Sequence, residues 1–266
     1  MTTGWRRRFA VMALLLLPGI AAADGMMDHV DLRSPKMSQA EMSRADIEKL
    51  IAERAAGAPL DLTNKSLNGL DLSGLNLAGA DLRWARLNKT KLAGANLDGA
   101  RLDLAWAIEV DLTGASLQKA SMFQAQLIRA KLDGANLAGA NLVGTFDNAS
   151  ITGANLAGAN MAADMKNQSM GLMHCSMRSA KLDGSNLAGV DAYRAELDFV
   201  KLRGADLQNV NFERARLAGA DLTGADIAGA NFEMTNLASA MLLKLKGKDA
   251  ARNLDLAVHL DRSFRD

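Results

Sequence analysis

The residues best equipped for chemistry sit together in Met170-Gly-Leu-Met173-His174-Cys175-Ser-Met177. Thioether, imidazole and thiol are soft donors of the kind that select Cu(I). Met173, His174 and Cys175 are the candidate ligands, so a small copper-binding protein is one function to test. A structural account competes with it. Met161, Met165, Met170 and Met177 fall where apolar side chains recur, and methionine fills irregular interiors well. Cys175 falls in a slot that alanine holds elsewhere, and as the only cysteine it has no partner for an internal disulfide. The expectation is no bound metal and no cofactor.

Catalytic groups are scattered rather than convergent. Asp71, Asp81, Asp111, Asp221 and Asp226 each precede a recurring apolar centre, which reads as a solvated face and not as a paired acid and base. His29, His174 and His259 lie far apart in the chain, no serine motif accompanies them, and the glycines follow a repeat instead of forming a phosphate loop. An enzyme is not expected.

The elements that hold these residues are set by a period of five. From Leu62 through Leu67, Leu72, Leu77 and Leu82 to Leu142, and again to Leu242, an apolar centre returns at about every fifth position. Two residues before most centres stands a small residue such as Ala80, Ala95 or Ala115, and two residues after many stands glycine, such as Gly74, Gly94 or Gly134. This period fits neither a helix nor a simple strand. It fits a chain that turns a corner once per repeat, four repeats closing a square coil whose leucines and alanines point inward.

The tandem motif A-[D/N]-L-x-x, clearest in Lys131-Leu-Asp-Gly-Ala-Asn-Leu-Ala-Gly-Ala-Asn-Leu142, resembles the pentapeptide-repeat family. That resemblance implies an all-β solenoid, a right-handed quadrilateral β-helix, here over residues 60–242. The register gives about nine coils, hence a rod on the order of 40 Å at roughly 4.8 Å per stacked strand.

Short α-helical flanks are expected at both ends. Residues 24–59 contain Ser38-Gln-Ala-Glu41, a capping-box pattern, then the apolar stripe Ile47, Leu50 and Ile51, stopped by Gly57 and Pro59. Such a helix would cover the bare edge of the first coil. Residues 243–266 place Leu256, Leu260 and Phe264 four apart, the spacing of an amphipathic helix. It would cover the last coil or pair end to end with a second copy as a homodimer. His259 would then be an ordinary helix-surface residue.

Residues 1–23 have the form of an export signal: basic Arg6-Arg7-Arg8, an apolar run from Phe9 to Leu17, a break at Pro18-Gly19, and small residues Ala21-Ala22-Ala23 for cleavage near Ala23. The run is too short to span a bilayer. Trp5 replaces the Ser or Thr usual in a twin-arginine signal, and the leucine-rich run suits the general export route. A periplasmic or secreted product is expected.

Cleavage there removes three arginines and no acids, leaving 28 basic against 30 acidic side chains. Relatives implied by the resemblance inhibit a DNA topoisomerase by imitating DNA, which requires a strongly negative surface. A near-neutral, exported chain does not meet that requirement, and no basic stripe supports nucleic-acid binding.

Two departures from the repeat stand out. Trp84, Leu104, Trp106, Ile108, Phe123, Ile128 and Val143 fall, at about twenty residues per coil, on two adjoining faces, and a contiguous apolar patch marks a contact surface. The competing account has the aromatics plugging gaps beside Ala107, a small residue at a centre. Between Leu142 and Met177 the register slips; centres at Phe146, Ile151, Leu156, Met161, Met165 and Met170 restore it, with extra residues bulging near Gly171 to His174. The sequence thus favours a non-catalytic, exported scaffold that binds a protein in the cell envelope, spans no membrane and contacts no nucleic acid.

Overall fold

The computed structural model describes residues 31–55, 57–166 and 173–266. Arg33–Asp266 is one compact unit and Met1–Leu32 another; the export signal expected over residues 1–23 lies outside the described residues. No helix among the described residues is long and apolar enough to cross a membrane.

Each five-residue step makes one wall and one corner. The centre, for example Leu82, is buried, and its N–H donates to Arg101 O one coil on (2.7 Å). The preceding Asp81 donates back to Leu60 O (2.9 Å). Ala85 N–H closes the corner on Leu82 O (3.1 Å). The residue two past the centre takes a left-handed conformation, φ 64° at Gly134 and φ 57° at Trp84, which glycine adopts freely and other residues at a cost. Four parallel ladders result, starting at Asp61, Ser66, Asp71 and Asn76. We number these walls one to four.

The rungs are single-residue bridges, because the chain turns again before a strand can lengthen. Among the described residues only β1 (Met241–Leu242) and β2 (Phe264–Arg265), paired parallel, count as strands. The acids and amides ahead of each centre have a specific task. Their Oδ1 accepts the N–H two residues on, as in Asp61 with Thr63 (2.9 Å), Asp111 with Thr113 (3.1 Å) and Asp206 with Gln208 (3.0 Å). Asp and Asn suit this local turn, which is why they recur.

The core is a column of leucines and alanines. One small centre has a large neighbour: Ala192 is followed one coil on by Phe212, which stacks on Phe232 with ring centroids 5.4 Å apart. Both rings are fully buried.

At the N-terminal end, α1 (Pro35–Ser38) and α2 (Arg44–Glu53) meet the first coil. The capping box is not at Ser38. Residues 39–41 are extended and pair with the coil, Ala40 opposite Leu67 and Glu41 N–H on Ser66 O (2.9 Å), so no helix begins there. The box forms instead between Ser43 and Asp46, with Ser43 N–H on Asp46 Oδ2 (2.7 Å) and Asp46 N–H on Ser43 Oγ (3.2 Å). Ile47 enters the core, Ile51 packs against it, and Leu50 of the expected stripe is exposed. Leu70 and Leu75, in slots usually held by alanine, pack against that core.

The register between Leu142 and Met177 differs from the expected one. The short step at Phe146 is present: Gly144 N–H reaches back to Leu142 O (2.8 Å) in a tight turn. Met165 is not a centre. The chain leaves the wall at Asp164, which pairs antiparallel with Met173, and the ladder passes from Thr145 directly to Ser176. Met165 is exposed, and Met170 lies outside the described residues. The ladder therefore skips the centre expected at Met165, while the one expected at Met170 and the bulge expected from Gly171 lie outside the described residues.

The C-terminal amphipathic helix is absent. Residues 246–264 make one more coil in six-residue steps, with Lys246, Arg252, Val258 and Phe264 joining the ladders of Asp226, Asn231, Asn236 and Met241. Three 3-10 turns, Lys248–Ala250, Leu254–Leu256 and Leu260–Arg262, follow left-handed residues Gly247, Asn253 and His259 (φ 65°, 57° and 58°). A left-handed residue every sixth position is incompatible with a continuous α-helix. His259 is thus a turn residue, and the helix that would have joined two copies does not exist.

Candidate interaction surface

The expected patch lies along wall two and its two flanking corners. Trp84, Leu104 and Phe123 stand on the corner between walls one and two, Trp106 is a rung of wall two, and Ile108 and Ile128 stand on the corner beyond it. Trp84 is 46% exposed and Leu104 37%; Trp106, Phe123 and Ile128 are half-buried. Two members drop out. Val143 is buried at the shortened step beside Gly144, and Ile108 is buried where its N–H donates to Asn88 Oδ1 (3.0 Å), whose amide donates to Met37 O (3.0 Å).

Neither tryptophan belongs to the buried core, while Ala107 does. The aromatics therefore do not fill a gap behind Ala107. Trp84 projects because the left-handed corner position points outward, and Arg83 covers one face of its ring with the guanidinium carbon 5.4 Å from the centroid, a favourable cation–π geometry. Arg83 is held in turn by Asp81, with Nε–Oδ1 at 2.8 Å and Nη2–Oδ2 at 2.6 Å. These hydrogen bonds hold the Asp81 carboxyl below its ordinary value.

The Met/His/Cys cluster is split by the wall. Cys175 occupies the inward slot and is fully buried, and burial pushes its thiol well above the ordinary range. His174 is half-buried with Nε2 3.3 Å from Glu196 Oε1. Met173 is half-buried in its pairing with Asp164. The three do not converge, and no cluster of three or more His, Cys, Asp or Glu fit for a metal occurs among the described residues.

A second feature of the same corner was not read from the sequence. An open cleft of about 370 Å³ is lined by His174, Arg194, Glu196, Arg214, Arg216 and Met234. Glu196 is met by His174, by Arg178 Nη1 at 3.6 Å and by Arg216 Nη1 at 3.4 Å, and the His174 hydrogen bond leads in lowering its carboxyl. Asp198 beneath is almost fully buried and raised by that burial. Arg216 Nη2 lies 2.9 Å from Asp198 Oδ2, but neither Asp198 oxygen gains a hydrogen bond of good geometry. The sequence signal was available: Arg194 and Arg214 occupy one corner position in successive coils.

Four stacked ladders around a leucine and alanine core define a repeat solenoid. The family model for pentapeptide repeats matches residues 66–103, 108–144, 124–162, 172–209 and 205–240, and the chain belongs to the pentapeptide-repeat family. The fold is accordingly the right-handed quadrilateral β-helix of that family, whose members are generally structural or interaction proteins and not enzymes. Among solved structures, HetL, a pentapeptide repeat protein involved in heterocyst differentiation regulation in Nostoc sp. strain PCC 7120, is 28% identical, covering 84% of this chain and 94% of its own, with a TM-score of 0.39. QnrB1, a plasmid-mediated fluoroquinolone resistance protein, is 18% identical over 74% of this chain and 93% of its own, with a TM-score of 0.33. A thylakoid-lumen pentapeptide repeat protein of Arabidopsis thaliana is 24% identical over 54% and 68%, with a TM-score of 0.21. No curated protein matches the chain.

Proposed function

We propose that this chain is an exported, non-catalytic scaffold that binds a protein partner in the cell envelope through the apolar edge at Trp84, Leu104, Trp106 and Phe123. The observation that carries the reading is Trp84, a large ring 46% exposed at a corner position held by Asn64, Gln124, Arg194 and Arg214 in other coils. Leu104 continues it one coil on. Exposed contiguous apolar surface of this kind serves contact, and tryptophan is the residue most often found at the energetic centre of an interface. Export is supported by the sequence of residues 1–23. The copper reading loses its basis with Cys175 turned inward, and the near-neutral charge argues against imitation of DNA.

The test is capture from envelope extract by wild-type protein and by a Trp84→Ser, Trp106→Ser variant shown to be folded. A partner retained by wild type and lost by the variant supports the proposal. Equal capture by both removes the apolar edge from consideration.

A further inference from the structure

The ladders of this solenoid mostly set opposite charges against each other. Lys91 meets Asp71 at 3.7 Å, Arg101 meets Asp81 at 3.8 Å, Arg129 meets Glu109 at 2.8 Å and Arg203 meets Asp221 at 2.6 Å. Like charges stack on a few rungs, as at Asp61 with Asp81 and Lys181 with Lys201, and one corner stacks two arginines. Arg194 and Arg214 occupy the same left-handed position (φ 58° each) in successive coils, which register through Asp191 and Asn211 at a coil spacing of about 4.8 Å. Like charges stacked directly opposite are destabilising.

Their partners at the site are few. Arg194 stacks on its neighbour Tyr193, 5.5 Å from the ring centroid, and donates to Tyr193 Oη (3.2 Å); no acid lies within 4.0 Å of it among the described residues. Arg214 has only Glu213, its own chain neighbour, at 3.6 Å. Glu196, the one acid lining the cleft, is already engaged by His174, Arg178 and Arg216. Met234, one coil further on, is exposed and gives the cleft an apolar end.

We infer that this cleft is a second docking site, one that receives a carboxylate-bearing, acidic segment of the scaffold's protein partner on Arg194 and Arg214. The inference extends the interaction reading above and assigns the chemistry of the partner. Guanidinium groups bind carboxylates with paired, charge-assisted hydrogen bonds, and a carboxylate between the two arginines offsets their mutual repulsion.

The probe is a rhodamine-labelled oligoglutamate peptide, followed by fluorescence anisotropy against the full chain at low and physiological salt. Wild-type protein should bind it in a salt-dependent manner, and an Arg194→Gln, Arg214→Gln variant should bind at least about tenfold more weakly. The Trp84→Ser, Trp106→Ser variant should bind it unchanged, so loss of the apolar edge and loss of this cleft are read separately. Without peptide, Arg214→Gln should leave the melting temperature equal or higher, because the like charge it removes outweighs one exposed ion pair to Glu213. Equal binding by wild type and the arginine variant overturns the assignment. So does displacement of the peptide by inorganic phosphate at equal charge concentration, or a fall in melting temperature with Arg214→Gln.

Discussion

Replacing Phe212 tests whether neighbouring coils share their volume. The centres of wall one run Ala192, Phe212, Phe232 through consecutive coils, with Ala192 N–H on Asn211 O (2.9 Å) and the two rings 5.4 Å apart. Ala192 leaves room that the Phe212 ring occupies. Phe212→Ala should therefore cost about 3–5 kcal/mol, at the upper end because the adjacent alanine offers nothing to collapse into the void. For a chain of this size that lowers the melting temperature by roughly 6–20 °C. Ala192→Leu alone overpacks against the ring and should cost about 1–3 kcal/mol. Combined with Phe212→Leu, it moves volume from one coil to the next, and the pair should cost clearly less than the two single changes added together. Circular dichroism during urea and thermal unfolding of wild type, Phe212→Ala, Ala192→Leu, Phe212→Leu and the double variant measures this. Additive costs, or a Phe212→Ala loss below about 1 kcal/mol, would refute volume sharing between coils.

Other consequences are equally direct. Gly144→Ala places a methyl group 2.7 Å from Ala125 O and 2.9 Å from Met122 O, and backbone cannot yield, so about 1–3 kcal/mol should be lost in urea titration; Gly134→Ala meets nothing within 4 Å and should cost only the left-handed penalty of about 1–2 kcal/mol. Asp81→Asn should destabilise at neutral pH by about 1–2 kcal/mol through its lost bonds to Arg83. Because Asp81 is held below its unfolded value of 3.8, that contribution is present above 3.8 and disappears as pH falls through the lower folded value; a variant whose deficit persists at the acid end contradicts this. Asp198 runs the other way: its folded value is raised, so stability falls as pH rises from 3.8 towards that value, and Asp198→Asn should flatten the profile there. Cys175 should resist a thiol reagent in the native protein and react fully in denaturant, and elemental analysis should find no stoichiometric copper.

The architecture was legible because its period is written in the sequence itself. Leucine at the centre, alanine two before it and glycine two after it each answer one steric demand of the corner, so the pattern identifies the wall without knowledge of contacts. It misled where other residues met the same demand by chance. Met165 is apolar and suitably spaced, yet the chain had left the wall at Asp164. Leu256, Leu260 and Phe264 carry helical spacing, while Asn253 and His259, left-handed without being glycine, concealed the six-residue steps. The patch was legible as a set of outward positions, but the burial of Ile108 depends on Asn88 and on Met37, a crossing by a distant part of the chain. The arginine cleft needed the ladder register before two residues twenty positions apart could be seen as neighbours.

The excursion between Asp164 and Met173 leaves all four ladders unbroken: Thr145 still meets Ser176, Ser150 meets Lys181, Asn155 meets Asn186 and Asn160 meets Asp191. Nothing in the stacking counts how many residues pass between one rung and the next, provided the chain returns to the same corner. Such a corner is a splice point. Foreign sequence of variable length could be grafted there, in a laboratory or by natural rearrangement, while the coils on either side stay in phase and the scaffold continues to present its other faces unchanged.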